Sequence, residues 1–380
     1  MGKRKFFITT TIPASLNFFK GNLSFLSQYY DVTAISSNRD FLMEVGKREG
    51  VNVFYIPMVR PISLFVDIVC LFKFIFFFIK ERPYIVHGNT PKASFLSMIS
   101  SWLVRVPIRI YMCHGLRYQG ENNKYKRMLL MWMEKISCLC ATKVICVSNG
   151  VKHTLIEDNI CSCKKAIVVH FGSASGIDID FFDKNNKNID TAIDKKLGIK
   201  DTDFVFVFIG RIVKDKGISE LVEAFSKLSS IYDNIHLILV GPTNSEYNRI
   251  SIETEQKIKL LKNIHEFGSQ KDIRPYLFAA DALVLPSYRE GFGMVLIEAG
   301  AMSVPVIASN IIGCNEIVIP GKNGDLVEPK NVDSLFNIMQ RWINNPNYVK
   351  KMSLNARGLV VERYSQKNVW NALLAVYDKV

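Results

Sequence analysis

The sequence lacks an uninterrupted hydrophobic run long enough to cross a membrane, and it lacks the cysteine pairs typical of zinc sites. Its longest apolar stretch, residues 62–79, is interrupted by Asp67 and Lys73, whereas a membrane-spanning helix needs about 20 predominantly apolar residues. The eight cysteines include C-x-C pairs at positions 138/140 and 161/163 but no C-x-x-C pair. We therefore expect reduced thiols and no zinc site.

No low-complexity tract or fixed-period repeat is present, which argues against a repeat protein. The first ten residues, MGKRKFFITT, are basic and then apolar, but no small-residue cleavage site follows them. We therefore expect no signal peptide, and the reduced thiols indicate a cytosolic protein. The length of 380 residues and a hydrophobic content of 48% favour two ordinary globular domains.

Positive charge is concentrated in the first half of the chain. Residues 1–180 contain 23 Lys and Arg against 12 Asp and Glu, whereas residues 181–380 contain 25 against 23. An excess of this kind indicates an anionic partner, which could be nucleic acid, an acidic membrane face or a phosphorylated substrate. A solvated basic surface with no partner is the remaining alternative.

The apolar stretch 62–79 allows two interpretations. It is either a helix buried in a soluble domain or a helix whose excess apolar face contacts a bilayer surface. Its phenylalanines exceed what one core face needs, which favours contact with a membrane: Phe72, Phe74, Phe76, Phe77 and Phe78.

Two series of short, β-branched apolar runs predict two doubly wound α/β domains in tandem, because buried strands that alternate with helices form parallel sheets. The first series is 5–10, 31–37, 52–57, 84–89, 108–115, 143–148 and 166–172. The second series is 204–210, 236–242, 263–268, 282–287, 304–309 and 324–329, followed by helical stretches at 332–344, 347–363 and 366–378. We place the domains at 1–182 and 183–365, with 366–380 as a C-terminal helix that packs back on the first domain.

Ligands of such folds bind at the carboxyl ends of strands and in the cleft between the domains. The strand 204–210 ends at Gly210, Arg211 follows it, and Lys216 with Gly217 opens the next helix. Two cations near a helix N-terminus favour an anionic ligand. The spacing G-R-x4-K-G therefore predicts a diphosphate site.

The segment SYREGFGMVLIEAGAM predicts a strand-tip loop followed by a helix. Gly291 and Gly293 let backbone amides approach a ligand closely. Glu290 lies in the loop and Glu298 lies inside the helix, so both can border one elongated ligand. Carboxylates accept hydrogen bonds from paired hydroxyls, which points to a sugar or a ribose.

These motifs resemble the retaining glycosyltransferases of family 4, which have the GT-B fold. The resemblance rests on G-R-x4-K-G followed by P-S-x-x-E-G-F-G-x4-E, with the Glu-x7-Glu pair of that family. It covers almost the whole chain, because NTPKAS (89–94), YMCHGL (111–116), KVICVSNGV (143–151) and FGSASGIDIDFF (171–182) are similar to the members that build capsular and O-antigen polysaccharides. The expected fold is GT-B, with two Rossmann-like domains facing a central cleft.

The resemblance implies roles for individual residues. Arg211 and Lys216 hold the donor diphosphate, Glu290 holds the donor sugar and His114 faces that sugar, so these four form the catalytic set. The expected donor-binding residues are Gly210, Phe267, Gly268, Gly291, Phe292, Gly293, Met294, Val295 and Glu298. Within that set Glu298 accepts from the ribose hydroxyls, whereas Phe267 and Gly268 flank the base. Lys92 and Arg117 are candidates for binding the acceptor phosphate.

The reaction that follows is transfer of a sugar from a nucleotide-sugar, expected to be a UDP-sugar, to a polyprenyl-diphosphate-linked saccharide with retention of configuration. It needs no cofactor and no metal, and the D-x-D strings at 178–180 and 201–203 are weak evidence for Mg²⁺. The expected location is the inner face of a bacterial plasma membrane, on an anionic surface. No nucleic acid is expected, because aromatic and basic residues are not interleaved.

Some residues depart from the family pattern. Relatives often carry a Gly-Gly turn after the first strand, which TTTIPASLN (9–17) lacks, and a second His where Asn89 stands. Two alternatives stay open at this point: a GT-B enzyme that epimerises or phosphorolyses sugars, and a non-catalytic module that binds an anionic ligand.

Overall fold

The computed structural model describes residues 2–243 and 248–379. The chain forms two compact units. One ends at Gly176 and includes the final helix, and the other is Ile177–Ser365. The division therefore falls at Gly176 rather than at residue 182, and the segment 177–182 belongs to the second unit.

The first unit contains a parallel sheet of seven strands in the order β3-β2-β1-β4-β5-β6-β7. The strands are Lys5–Thr9 (β1), Asp31–Ser36 (β2), Asn52–Tyr55 (β3), Ile85–Asn89 (β4), Ile108–Cys113 (β5), Lys143–Cys146 (β6) and Ala166–Val168 (β7). Each lies within one of the seven predicted runs, so the predicted strands are confirmed. Most of their residues are buried on both faces, which explains why the runs are apolar without alternation.

Helices cover both faces of this sheet. They are Asn22–Ser27 (α1), Arg39–Glu49 (α2), Leu64–Glu81 (α3), Pro91–Leu103 (α4), Lys124–Cys140 (α5) and Asn149–Glu157 (α6). Short 3-10 turns span Pro13–Phe19 and Arg117–Gly120. The side chains of Asn123 and Ser148 accept amide hydrogens at the starts of α5 and α6, as helix-capping residues do.

The second unit contains a parallel sheet of six strands in the order β10-β9-β8-β11-β12-β13. The strands are Phe204–Ile209 (β8), Ile235–Val240 (β9), Ile264–Phe267 (β10), Ala282–Leu285 (β11), Val306–Ser309 (β12) and Gly324–Val327 (β13). All six coincide with predicted runs, and only β9 begins one residue early. The strand order reverses between β8 and β11, which is where folds of this type bind ligands.

The helices of the second unit surround this sheet. They are Ile193–Leu197 (α7), Ile218–Ser229 (α8), Ile252–Leu260 (α9), Arg274–Phe278 (α10), Met294–Ala301 (α11), Val332–Asn344 (α12) and Pro346–Tyr364 (α13). A 3-10 turn, Lys214–Lys216, precedes α8. The last helix, Gln366–Lys379 (α14), belongs to the first unit.

Polar and aromatic contacts attach α14 to the first unit. The indole Nε1 of Trp370 donates to the backbone oxygen and the hydroxyl of Ser175, both at 2.8 Å. The Tyr30 hydroxyl donates to Asp378 Oδ1 at 2.8 Å. The chain passes between the units twice, at 176/177 and at 365/366, and within the second unit Ile177 and Ser365 form a parallel β-bridge.

Helix α3 has one buried face and one exposed face, so the interpretation of 62–79 as a fully buried helix is wrong. Cys70, Phe74 and Phe78 are buried, and the Phe77 ring stacks on Phe54 with centroids 3.6 Å apart. The exposed apolar side chains of α3 are Leu64, Phe65, Ile68, Val69, Phe72, Phe76 and Ile79. Within residues 2–243 and 248–379, no helix is long and apolar enough to cross a membrane.

Candidate active site

Two loops meet at the point where the strand order of the second unit reverses. One follows β8 and carries Arg211 and Lys216, and the other follows β11 and carries Glu290. Strands β8 and β11 pair in parallel, with Ala282 opposite Phe206, so their carboxyl ends lie at the same edge of the sheet. The sequence prediction of a shared site after these strands is consistent with this placement.

Two glycines bring the backbone of neighbouring loops into contact. A Cβ atom on Gly241 would lie 1.8 Å from the backbone oxygen of Gly210, and one on Gly217 would lie 2.0 Å from that of Pro286. Gly217 also has a φ of +69°, which residues with a side chain rarely adopt. The first contact joins the ends of β8 and β9, and the second holds the start of α8 directly against the loop after β11.

Lys216 and Glu290 form an ion pair across this contact. Their side chains are only 20% and 14% exposed, so solvent screens the pair less than it would at the surface. The Ser287 hydroxyl donates to Glu290 Oε1 at 2.9 Å and fixes the carboxylate from a second direction. Burial, and next the charge of Glu290, raise the pKa of the neighbouring Cys314 thiol, which keeps that thiol protonated.

The residues before Glu290 add two further links, which the sequence reasoning missed. Arg289 forms an ion pair with Asp215. The Tyr288 amide donates to the backbone oxygen of Asp215 at 2.8 Å, and its hydroxyl donates to Glu220 Oε1 at 2.6 Å. Three consecutive residues are thus paired with the segment 215–220. The acidic positions 215 and 220 give no signal in sequence, because only the fold brings them to this loop.

Arg211 and Glu298 have free polar groups at the same edge. Arg211 is exposed, and within 2–243 and 248–379 its guanidinium group has no hydrogen-bond or ion-pair partner, although its backbone oxygen accepts from the Val213 amide at 3.0 Å. Glu298, the fifth residue of α11, is half-buried, and no side-chain partner is recorded for its carboxylate within 2–243 and 248–379. Burial raises the pKa of Glu298 to about 7. Both groups can therefore bind a ligand without first breaking a contact within the protein.

The glycine turn before α11 differs from the prediction in one respect. The Gly293 amide donates to the Gly313 oxygen at 3.0 Å, and the Met294 amide donates to the Phe292 oxygen at 2.9 Å. Gly291 packs closely against Gly313, since a Cβ atom on Gly313 would lie 2.7 Å from the carbonyl group of Gly291. The amides of residues 293 and 294 thus already have acceptors, so the glycines shape the loop rather than leave these two donors free.

The remaining predicted donor residues lie on neighbouring elements. Phe267 ends β10, and its ring contacts Tyr276 edge-on with centroids 4.8 Å apart. Gly268 is exposed, with open space where a Cβ would stand, so a flat ligand can approach it. Met294 and Val295 are half-buried in the first turn of α11.

His114 belongs to the first unit, where it follows β5. Its Nε2 lies 3.1 Å from Asn89 Oδ1, and burial lowers its pKa to about 4. The imidazole is therefore neutral at pH 7. That His114 faces the donor sugar stays a prediction.

The two candidates for binding the acceptor phosphate have different environments. Lys92 is buried, and its ammonium group contacts Asp67 Oδ1 at 2.6 Å and the backbone oxygen of Pro61. The Lys92 side chain is only 7% exposed, and both contacts lie within the protein, so its ammonium group links α3 to α4. Arg117 is exposed in the turn after β5 and remains a candidate.

Comparison with known proteins agrees with this arrangement. The family model "Glycosyl transferases group 1" matches residues 189–359, and the model "Glycosyltransferase Family 4" matches residues 24–172. Together they cover the core of both units, and the first includes every site residue of the second unit.

Two relatives and one solved structure are similar over most of their length. The capsular polysaccharide biosynthesis glycosyltransferase CapM of Staphylococcus aureus is 33% identical, with 100% of this chain and 98% of the relative aligned. The UDP-Gal:alpha-D-GlcNAc-diphosphoundecaprenol alpha-1,3-galactosyltransferase of Escherichia coli is 28% identical, with 83% of this chain and 81% of the relative aligned. The crystal structure of Anabaena Alr3699/HepE with UDP superposes with a TM-score of 0.83 at 19% identity, covering 100% of both chains.

A relative of this identity and coverage establishes the family, and the superposition establishes the fold. The chain is a glycosyltransferase of family 4 with the GT-B fold.

Proposed function

We propose that this glycosyltransferase moves a sugar from a UDP-sugar to a saccharide linked to a polyprenyl diphosphate, with retention of the anomeric configuration, in the synthesis of a surface polysaccharide. The observation that carries the proposal is the Lys216–Glu290 pair beside the free guanidinium of Arg211, where the sheet order reverses. In this proposal Arg211 and Lys216 bind the diphosphate of the donor, and the carboxylate of Glu290, which is paired with Lys216, binds hydroxyls of the donor sugar.

In this proposal the charged groups stabilise the leaving nucleotide. As the bond between the anomeric carbon and the diphosphate oxygen breaks, negative charge grows on that oxygen. Arg211 and Lys216 stabilise this charge from fixed positions, which is the usual source of large electrostatic rate effects. Ser287 and Lys216 hold Glu290 in place, so its carboxylate is oriented before the donor sugar binds.

The acceptor hydroxyl attacks the anomeric carbon from the face that the diphosphate leaves. The new bond forms between that carbon and the acceptor oxygen, and the hydroxyl proton passes to the departing phosphate oxygen. The step needs no separate protein base. We expect neither a metal nor a cofactor, so transfer should continue at an unchanged rate in the presence of EDTA.

The donor and acceptor classes have separate support. The uridine nucleotide is favoured by the UDP complex of the structural neighbour and by the UDP-Gal donor in the printed name of the Escherichia coli relative. The lipid-linked acceptor is favoured by the diphosphoundecaprenol in that same name. Glu298 fits the ribose, because an ionised carboxylate accepts from two neighbouring hydroxyls.

The surface of the first unit favours an acceptor held at a membrane. Helix α3 packs on α4, and α4 packs on α5, so their exposed side chains form one surface, which we call the apolar–basic face. Its large exposed apolar residues are Leu64, Phe65, Phe72, Phe76, Trp102, Leu103, Tyr125, Met128 and Trp132. Its exposed cations include Lys73, Lys80, Lys124, Lys126 and Arg127. Exposed apolar side chains together with cations are typical of proteins that bind anionic bilayer surfaces.

Turnover tests the chemistry. The protein is incubated with lipid-linked acceptor and a panel of nucleotide-sugars, and both nucleotide release and lipid-linked product are measured. We expect release that requires the acceptor, from one donor, and its loss in Glu290→Gln. Glu253→Gln is the matched control, because Glu253 is a glutamate on the exposed surface of α9. Nucleotide release without acceptor would favour an epimerase or hydrolase reaction instead.

Vesicle flotation tests the membrane surface. We expect binding to vesicles that contain anionic lipid to fall in the triple variant Phe65→Ser, Phe72→Ser, Phe76→Ser. Leu354→Ser, which alters an exposed apolar residue of the second unit, should leave binding unchanged. Phe77 is unsuitable as a probe because its ring packs on Phe54. Equal flotation of all variants would overturn this part of the proposal.

A further inference from the structure

The two C-x-C pairs of cysteines, which are distant in sequence, lie on neighbouring segments of the first unit. Cys138 and Cys140 lie in the last turn of α5, whereas Cys161 and Cys163 lie in the turn between α6 and β7. All eight cysteines of the chain are free thiols. Cys138 and Cys161 are buried, at 2% and 7% exposure, whereas Cys140 is half-buried and Cys163 is exposed. Each pair therefore has one inner and one outer thiol.

The two inner thiols contact each other. A hydrogen bond joins the side chains of Cys138 and Cys161, so their sulfur atoms are neighbours in the folded chain. Lys165 holds the two segments together, because its ammonium group donates over 2.7–3.2 Å to three backbone oxygens at the end of α5: those of Cys138, Leu139 and Ala141. A lysine at this position binds the last carbonyls of a helix. The end of α5 is thereby fixed against the turn that carries Cys161.

The surroundings make the two inner thiols unequal. The hydrogen bond to Cys161, and next burial, raise the pKa of Cys138. The hydrogen bond from Cys138 lowers the pKa of Cys161, and the charge of Lys165 lowers it further against the opposing effect of burial. The thiolate is the form of cysteine that oxidants attack. Cys161, which is also the more exposed of the two, is therefore the thiol that reacts first, and Cys138 is its neighbour.

We propose that Cys138 and Cys161 are a modification site, at which hydrogen peroxide forms a disulfide between α5 and the turn after α6. The Cys161 sulfur attacks one peroxide oxygen, the O–O bond breaks, and a sulfenic acid and one water are formed. The Cys138 sulfur then attacks the Cys161 sulfur, the S–O bond breaks, and hydroxide leaves with the Cys138 proton as a second water. The two thiols lose two electrons and two hydrogens, and the peroxide accepts both.

This bond closes a loop within the first unit. The loop contains β6 and α6, and it ties down α5, which carries Tyr125, Met128 and Trp132 of the apolar–basic face. Closing a loop restricts the unfolded chain and so favours the folded one. The inner thiols are already in contact, so the bond needs no rearrangement of the fold. The charged residues of the second unit lie outside the loop, and the inference therefore does not depend on the proposed function.

Peptide mass spectrometry after oxidation tests the pair directly. Trypsin cuts after lysine and arginine, so it leaves both cysteines of α5 in the peptide 136–143 and both cysteines of the turn in the peptide 153–164. The double variant Cys140→Ser, Cys163→Ser removes the outer thiols and isolates the inner pair. After treatment of this folded variant with hydrogen peroxide, we expect the two peptides to be joined with the loss of two hydrogens. Dithiothreitol should separate them again.

The reverse double variant, Cys138→Ser with Cys161→Ser, is the matched control. It keeps the outer thiols, and we expect no joined peptide from it. A joined peptide from this control but not from the first variant would assign the bond to the outer pair and overturn the proposal. Inner thiols that gain oxygen without joining, as in a sulfinic or sulfonic acid, would also overturn it.

Thermal unfolding tests whether the fold holds the two sulfurs in position for a bond. We expect the midpoint of Cys140→Ser, Cys163→Ser to rise by about 5 °C on oxidation and to return to its first value with dithiothreitol. An equal or lower midpoint would show that the bond distorts the fold, and it would overturn the inference that the pair is preset. Neither experiment uses a sugar donor, so failure here leaves the proposed function untouched.

Discussion

The two sheets reverse their strand order in the same way, but different chemistry follows the strands. In the second unit the loops after β8 and β11 carry Arg211, Lys216 and Glu290, and ion pairs join them. In the first unit the loops after β1 and β4 are joined by neutral groups, such as the hydroxyls of Thr11 and Thr90 at 2.8 Å. One fold thus places charged groups after the strands of the second unit and neutral hydroxyls after those of the first.

This difference also explains the missing Gly-Gly turn after β1. The segment TTTIPASLN continues into the 3-10 turn Pro13–Phe19, and the Thr10 hydroxyl donates to Ser36 Oγ at 3.0 Å. The loop is closed by its own hydroxyls instead of offering glycine amides to a phosphate. Binding of the donor diphosphate should therefore depend mainly on the second unit, and the following predictions test that division.

The largest effect is expected from the central ion pair. We expect Lys216→Ala to reduce kcat by about 100-fold or more, because a fixed cation next to the leaving group is lost and Glu290 is left without its partner. The double variant with Glu290→Gln should be no worse than the worse single variant, since the two residues act as a unit. Steady-state kinetics of the four proteins measures this, and additive losses would contradict it.

Gly217 should give the next largest effect, on stability and donor binding together. Gly217→Ala places a Cβ 2.0 Å from the Pro286 oxygen at a φ of +69°, so we expect unfolding free energy to fall by about 2 kcal/mol or more. Gly358→Ala is the control, because nothing lies within 4 Å of its Cβ position and it lies within helix α13. Urea denaturation of both variants compares them, and equal stability would mean that the loop contact carries no energy.

The pH dependence of donor binding should show which unit contains the group that titrates near neutral pH. Burial raises the pKa of Glu298 to about 7, whereas burial lowers those of His114 and His87 to about 4 and 3. Only Glu298 of these three titrates between pH 6 and 8. We expect affinity for the UDP-sugar to rise about three- to tenfold over that range, as the carboxylate ionises, and to be flat in Glu298→Gln. Calorimetry at three pH values measures it.

The same carboxyl group affects stability with the opposite sign. Its proton is bound more tightly in the folded chain, where the pKa is about 7, than in the unfolded chain, where it is about 4.5. Stability from this group is therefore fully present below about pH 4.5 and is lost as the pH rises through about 7. Glu298→Gln should become more stable relative to the wild type across that window. An unchanged difference would argue that Glu298 has an ordinary pKa.

The sequence predicted the strands and the main charged residues because both leave local patterns. Buried parallel strands are continuous apolar runs, and a site at strand ends needs no knowledge of distant contacts. Glu290 and Lys216 are 74 positions apart, yet each follows a predicted strand, so their proximity could be inferred. The sequence did not show which face of α3 packs inward, because large apolar residues occur on both its buried and its exposed face.

What the sequence could not supply were the partners of each group. The motif NTPKAS predicts that Lys92 binds phosphate but does not reveal that Asp67 of α3 lies next to it. Tyr288 and Arg289 were unremarkable loop residues until the fold brought Glu220 and Asp215 to them. Whether a charge is free or neutralised depends on residues far away in the chain, and a motif does not contain that information.

The smallest predicted effect is that of the Tyr288–Glu220 contact. Tyr288→Phe removes one hydrogen bond of 2.6 Å but keeps the ring, the backbone link to Asp215 and the Arg289 pair. We expect the KM for the donor to rise about fivefold with little change in thermal stability, because a hydrogen bond to a charged group contributes about 1.5 kcal/mol or more but solvent reaches both of these half-buried side chains and weakens the bond. Tyr232→Phe is the matched control, since that hydroxyl donates to Asn344 at 3.0 Å on the surface of the same unit. If both variants behave alike, the ion pairs of residues 289 and 290 alone hold the loop, and the charged site of the second unit is organised by charge only.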